Sequence, residues 1–430
     1  MSCLDEAART AHFLGCPLVT LHTPGRTSAH EAASHFGESI NLIAIDVPES
    51  ARLRLPGLDT TRLLAGTMFE RRTDVSTKRN LALLLSHMLR WKRVVFLDDD
   101  IRVPDPSDLS RAASLLDTHT AVGLGIGGFP DNSMVCHAYR EIGGWQDTFI
   151  GGGALAVDIR RNRSFFPNIY NEDWFFVLDA GKGLQSVATV GRVFQAPYDP
   201  YRPERAKAEE FGDVLAEGTF WLLDQDKSAS DGDLAHWRDF LTKRKRFIRR
   251  VLDMIECAAA IEPAERERRA EALNAALGRL ARITPELCVD YLKALAVDQE
   301  RWQRHIQAIR RQPKPRRELA LESLARVGGT PLTWCSIRAS SPKEPVATRR
   351  HRAIVTAKRS WRAVTIRELQ SRIALPPALA RAAHILRRET GIAVVPRVRV
   401  ASSPAAHALV AAEIALAGEK GQAEGDGLGR

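Results

Sequence analysis

The chain has 430 residues, 44% of them hydrophobic and 27% charged, which is enough for two or three domains with a sizeable core and ordinary for a globular protein. No apolar run approaches the ~20 residues that span a bilayer, and the opening MSCLDEAART has neither the basic start nor the apolar stretch of a signal peptide. Of the 62 basic and 52 acidic residues, 17 and 7 fall from Thr330 onward, so the net charge of +10 belongs to the tail and the body is neutral. That distribution argues against nucleic acid as a partner of the body. The six cysteines (Cys3, Cys16, Cys136, Cys257, Cys288 and Cys335) are scattered and form no CxxC pair. They read as reduced thiols of a cytoplasmic protein, not as a metal site or a disulfide frame.

In chain order, residues 4–14 place Leu4, Ala7, Ala8, Ala11 and Leu14 on one face and stop at Gly15, an amphipathic helix. PLVTLHT (17–23) reads as a buried strand. Ser28 and Glu31 have the spacing of a capping box, opening a helix that ends near Gly37. NLIAIDVP (41–48) is the next strand. In STKRNLALLLSHML, Leu81, Leu84, Leu85 and Met88 recur at helical spacing, and this helix feeds the strand VVFL (94–97). Strands alternating with helices predict an α/β fold with a mostly parallel sheet covered by helices on both faces. Ligands bind such sheets where the carboxyl ends of the strands open.

Further along come a short helix (LSRAASLLD), a strand (AVGLGIGGF), the run FIGGGALAVDI (149–159) and NEDWFFVLDAGKG (171–183), which reads as a helix stopped by glycine. From about residue 225 the pattern changes to long amphipathic helices, with Pro263 and Pro285 at helix starts and Thr284 as a cap. Residues 1–224 are thus expected to form the α/β domain, 225–325 a helical extension, and 326–430 a basic, poorly ordered tail.

Four clusters carry candidate chemistry. Asp98, Asp99 and Asp100 follow directly on a buried strand. Aspartates favour turns, yet three crowded acids repel one another, and a divalent cation with hard oxygen ligands would offset that. Asp98 and Asp100 point to opposite sides of an extended chain, so one could hold the metal and the other a ribose or a water ligand. Lys78, Arg79 and Asn80 fall at a predicted helix start, where cations oppose the macrodipole by ~0.3–1 kcal/mol each. They read either as a solvated helix end or as contacts to phosphates. Glu172 and Asp173 either cap a helix or, half-buried by Trp174, Phe175 and Phe176, include a general base. Gly151, Gly152 and Gly153 allow a close backbone approach to a ligand, or form a bulge.

In this order the clusters resemble the GT-A glycosyltransferases, in particular the inverting family-two type, over about residues 1–224. The resemblance implies that VVFLDDD supplies the Asp-x-Asp motif, with Asp98 and Asp100 binding Mg²⁺ or Mn²⁺. STKRN corresponds to the family's Ala-Arg-Asn helix start and NEDWFF to its Glu-Asp motif, with Asp173 as base beside Glu172. The donor, a nucleotide-sugar, would then meet Asp46, Lys78, Arg79, Asn80 and Asp99. A hydroxyl acceptor would meet Gly151, Gly152, Gly153 and Trp174, and the expected activity is hexosyl transfer with inversion. GT-A domains normally open on a strand that holds the nucleotide base, whereas this chain opens on a helix. If PLVTLHT is the second strand, the first is missing, and the opening helix fits that place between strands; if PLVTLHT is the first, Asp46 becomes a base or ribose contact. A further metal ligand, often histidine, follows the Glu-Asp helix in many members; here that stretch offers Gln195, Tyr198 and Asp199. Acceptor choice is expected in residues 129–150 and in the helical extension. Two other readings are a sugar nucleotidyltransferase and a non-catalytic remnant acting as a binding module.

Overall fold

A computed structural model describes residues 3–48, 55–128, 133–144, 150–179, 183–325 and 332–339. The chain alternates through α1 (Cys3–Leu14), β1 (Leu18–His22), α2 (Ala29–Phe36), β2 (Leu42–Asp46), α3 (Asp59–Leu64), α4 (Val75–Met88) and β3 (Arg93–Leu97). The capping box forms at α2: the Glu31 amide donates to Ser28 Oγ and the Ser28 amide to the Glu31 carboxylate, both at 3.1 Å. There follow β4 (Ile101–Arg102), α5 (Ser107–Leu115), β5 (Ala121–Gly128), α6 (Met134–Glu141), β6 (Ala154–Asp158), α7 (Glu172–Phe176), β7 (Leu178–Asp179), β8 (Gly183–Leu184) and β9 (Val187–Gln195). The last elements are α8 (Pro203–Leu223), α9 (Leu234–Cys257), α10 (Pro263–Leu280), α11 (Pro285–Arg311), α12 (Arg317–Ala325) and β10 (Thr333–Ile337).

The protein is mixed α/β, but its sheets are not mostly parallel. Among the described residues the strand orders are β1-β2-β10, β3-β6-β5-β9-β4 and β7-β8. Only β1 with β2 and β5 with β9 run parallel; the other five pairings are antiparallel. Apolar runs buried on both faces, such as β6, carry no mark of direction, so the alternation of strand and helix did not reveal that β6 runs against both its neighbours. In the five-stranded sheet, β3 and β4 stand at opposite ends of the order although only residues 98–100 separate them. The sheet therefore curls until β4 and the end of β9 lie beside the carboxyl end of β3. Gly128, at φ +81°, turns β5 into this curl, and a Cβ there would stand 2.9 Å from the Gln195 carbonyl oxygen.

One core joins sheet and helices. Leu81, Leu84 and Leu85 of α4 belong to the same buried cluster as Ile43 and Ile45 of β2, Phe96 of β3, and Phe211, Phe240 and Trp302 of α8, α9 and α11. The helices from residue 225 onward are thus not set apart from the α/β part, and α8 already starts at Pro203. Within the region read as tail, β10 pairs antiparallel with β2; residues 340–430 lie outside the described residues. So do 129–132 and 145–149, part of the stretch to which acceptor choice is assigned above. Two boundaries differ from the expectation. Helix α4 begins at Val75, so Arg79 and Asn80 fall in its second turn, where the macrodipole acts weakly. Helix α7 has five residues and gives way to the β7-β8 ribbon. No helix among the described residues is long and apolar enough to cross a membrane.

Candidate active site

The three aspartates occupy a β-turn. The Asp98 amide closes the β3–β6 ladder on the Gly153 carbonyl at 3.0 Å, and the Ile101 amide donates to the Asp98 carbonyl at 3.2 Å. The Ala196 amide, just past β9, donates to the Asp100 carbonyl at 3.0 Å. The turn reading is therefore correct as geometry, and it splays the three carboxylates into different surroundings. Asp99 is exposed. Asp98 accepts from Arg79 Nη2 at 2.7 and 3.0 Å. Asp100 accepts from Gln195 Nε2 at 3.0 Å.

Arg79 is the hub of the site. Its second nitrogen, Nη1, donates to Glu172 Oε1 at 2.9 Å, and Arg71 Nη1 holds Glu172 Oε2 at 2.6 Å. Burial works against the Arg79 charge, but Asp98, Glu172 and Asp173 outweigh it and hold the guanidinium above its ordinary pKa. The glycine run is explained by this hub. A Cβ on Gly152 would stand 2.5 Å from Arg79 Nη1 and 3.0 Å from Asp173 Cβ, so only glycine lets the backbone pass there. The Gly152 amide donates to Asp173 Oδ2 at 2.5 Å, and Gly153 lies beside Asp98. The other Asp173 oxygen takes the Trp174 amide at 3.0 Å, within the first turn of α7. The residue before that helix, Asn171, adopts φ 61°, and its side-chain Nδ2 donates to Asp213 Oδ1 at 2.9 Å, which aims the Glu172–Asp173 pair at Arg79 and the glycines.

Arg79, Asp98, Gly152, Gly153, Glu172 and Asp173 thus come together from four separate stretches of sequence. Other candidate residues do not join them. The Asn80 amide is buried and bonded to the Phe166 backbone, donating to its carbonyl at 2.7 Å and accepting from its amide at 2.8 Å; it fixes that segment and is not placed for a ligand. Asp46 accepts from the Ala29 amide at 2.7 Å and from Thr333 Oγ1 at 2.7 Å, so it ties the start of α2 to β10. Trp174 packs edge-on against Phe220, with ring centroids 4.8 Å apart. Gly151 lies against Ile126. Lys78 reaches the end of β1, donating to Thr23 Oγ1 at 2.6 Å and pairing with Asp74 at 2.8 Å. Two contributors carried no sequence signal of their own: Arg71, in irregular chain before α4, and Asn171, whose left-handed backbone is a local turn feature.

Among the described residues no three His, Cys, Asp or Glu side chains are grouped to hold a metal ion. The donor set nevertheless fits a hard cation at one point. Burial raises the Asp100 pKa, the Gln195 hydrogen bond lowers it, and repulsion from Asp98 and Asp99 raises it further. The oxygen of that same amide, Gln195 Oε1, is buried with no hydrogen-bond partner among the described residues. A carboxylate with no basic side chain paired to it among the described residues, beside an orphaned carbonyl oxygen, is a pair of ligands suited to Mg²⁺ or Mn²⁺. Asp98, by contrast, already has its cation in Arg79.

No protein-family model matches the chain, and no curated protein matches its sequence.

Proposed function

We propose that the protein is a metal-dependent glycosyltransferase that moves a sugar from a nucleotide-sugar donor to an acceptor hydroxyl with inversion. The observation that supports this best is the Arg79 hub, which joins Asp98 at a strand's carboxyl end to Glu172 and stands against the Gly152–Asp173 contact. Glu172, with both oxygens on arginines, serves to position its neighbour. Asp173 is the general base: it lies at the mouth of the glycine loop, and its two backbone contacts hold it fixed for proton abstraction. Asp100 and Gln195 would hold Mg²⁺ or Mn²⁺, which as a Lewis acid neutralises the departing nucleoside diphosphate. Lys78, paired with Asp74 and Thr23, would meet phosphate oxygens only by giving up that pairing.

Thermal stabilisation by a panel of nucleoside diphosphates, with and without Mn²⁺, tests the binding half of this reading. Asp100→Asn is expected to abolish the metal-dependent shift. Asp173→Asn is expected to keep that shift and lose turnover of the matching nucleotide-sugar by about 10²-fold or more, the size of a general-base contribution. Full, metal-dependent turnover in Asp100→Asn would overturn the assignment. Release of pyrophosphate from a nucleoside triphosphate would favour a sugar nucleotidyltransferase instead.

A further inference from the structure

Helix α9 has two unlike sides. Trp237, Phe247 and Val251 are buried in the core, and Arg244 is sealed among the carboxylates of α8. Opposite them, Arg238, Lys245, Arg246, Arg249 and Arg250 are exposed. At about 3.6 residues per turn, Arg238, Lys245 and Arg249 fall within about 40° of one another around the axis, with Arg246 and Arg250 alongside. They form a crest about 18 Å long on the side of the helix turned away from the core.

A polar outer face is ordinary for a helix packed on a core, but this one differs from its neighbour in sign and in pairing. On α10 acids and bases interleave and engage: Glu265 takes Arg268 at 2.7 Å, and Glu141 of α6 takes Arg269 at 3.0 Å. On α9, Lys243, half-buried on the flank, pairs with Asp239 at 2.9 Å and lies over the Trp221 ring. The five crest cations have no ion pair or side-chain hydrogen bond among the described residues. Asp253 and Glu256 follow the crest and pair with none of it. Like charges crowded along one helix face repel one another, and the body that carries them is neutral overall.

We propose that this crest seats the protein on an anionic lipid bilayer. Three observations choose that partner. The first is charge: a row of free cations is attracted to anionic headgroups, and the chain's own tail, itself basic, is repelled by the crest. The second is Leu234, which is 41% exposed and stands one turn before Arg238 on the same side. A leucine beside cations gains from the boundary between headgroups and acyl chains, and gains nothing from a sugar-phosphate backbone. The third is shape. Helices α8, α10 and α11 pack against α9, so only its outermost line is free to touch a partner. Such a line can rest on a plane, whereas a nucleic-acid groove must admit a whole helix. The proposal does not depend on the glycosyltransferase reading.

Flotation of the full chain with vesicles tests it, using phosphatidylcholine alone and phosphatidylcholine with about one third phosphatidylglycerol. The wild type is expected to float with the anionic vesicles only, and less so as salt rises. Lys245→Gln combined with Arg249→Gln is expected to weaken partitioning about thirtyfold, the share of two cations at an anionic leaflet. A tail control, Arg397→Gln combined with Arg399→Gln, removes the same charge and should lose far less. Leu234→Ser should weaken vesicle binding severalfold. Equal partitioning of the wild type and the α9 double variant would overturn the proposal. So would an equal loss in the tail control, which would mean that net charge and not the crest directs binding. Tighter binding to duplex DNA than to anionic vesicles would overturn it as well and give the crest to nucleic acid.

Discussion

Two buried arginines organise this molecule, and they differ in what surrounds them. Arg79 of α4 has its side chain 9% exposed and faces Asp98, just past β3, whose side chain is 36% exposed. Arg244 of α9 is fully sealed. It donates to both oxygens of Glu217 at 2.7 Å, to Glu210 at 3.0 Å through two nitrogens, and to Asp213 at 2.9 Å. Each arginine gathers several carboxylates, so the pattern of one cation among acids does not by itself mark an active site. Access does. Around Arg79 the acids meet a glycine loop and water. Around Arg244 they meet buried protein: α8, α9, the side-chain amide of Asn171, which bonds Asp213, and Ser133 at the start of α6, which bonds Asp213 as well. The sealed cluster thereby holds from behind the segment whose front face presents Glu172 and Asp173.

The sharpest way to break the comparison is to remove each cation. Arg244→Met leaves three carboxylates buried without a counter-charge, and breaking such a buried pair costs about 3–5 kcal/mol. Arg79→Met costs less, about 1–2 kcal/mol, because Arg71 still holds Glu172 and Asp98 can rehydrate. Urea unfolding measures both values. Turnover should invert the order, with folded Arg244→Met retaining more of it than Arg79→Met. If Arg79→Met proves the more destabilising, the site is a structural node first and the functional distinction fails.

These two clusters also show what the sequence exposes. The Arg79 partners were legible because each breaks a local rule: three acids crowd a strand exit, two carboxylates precede an aromatic block, and three glycines interrupt an apolar run. Arg244 breaks none. It lies in TKRKRF, where Lys243, Lys245 and Arg246 read as a solvated face, and nothing in the run says which cation turns inward. Glu210, Asp213 and Glu217 share one face of α8 at spacings of three and four, but an acidic stripe on a helix looks the same whether it faces water or a buried arginine. Of the elements from α1 to β3, all but the short helix α3 were readable for the converse reason, since each has its own period, cap or stop. Pairing direction, the curl that brings β4 back beside β3, and the return of β10 to β2 are decided by contacts between distant segments. They leave no local trace.

The sealed cluster should also reveal itself through pH. Burial pushes Glu210 and Glu217 up to about 7 from an ordinary 4.5, against the attraction of Arg244. The unfolded chain gives up these protons near 4.5, whereas the folded chain keeps them until about 7. Between those values the folded state binds more protons, so this contribution to stability falls as pH rises and levels off above about 7. Glu210→Gln removes one titrating group and should flatten the fall by up to ~1.4 kcal/mol per pH unit. An unchanged slope of unfolding free energy between pH 5 and 7 would mean that Glu210 holds no extra proton.

The smallest effect expected is at Asp99, the one acid of the turn that faces solvent. Its neighbours are engaged by Arg79 and Gln195, and its exposed carboxylate acts only through its charge. Asp99→Asn should change stability by less than about 0.5 kcal/mol, as surface substitutions do. In solvent-screened surroundings the loss of one charge a few ångströms from Asp100 weakens cation binding there by about two- to threefold. Titration with Mn²⁺ against Asp99→Asn and Asp100→Asn side by side reads the difference. A tenfold or larger loss in Asp99→Asn would make that residue a ligand in its own right, and would move the cation out of the Asp100–Gln195 corner to the outer face of the turn.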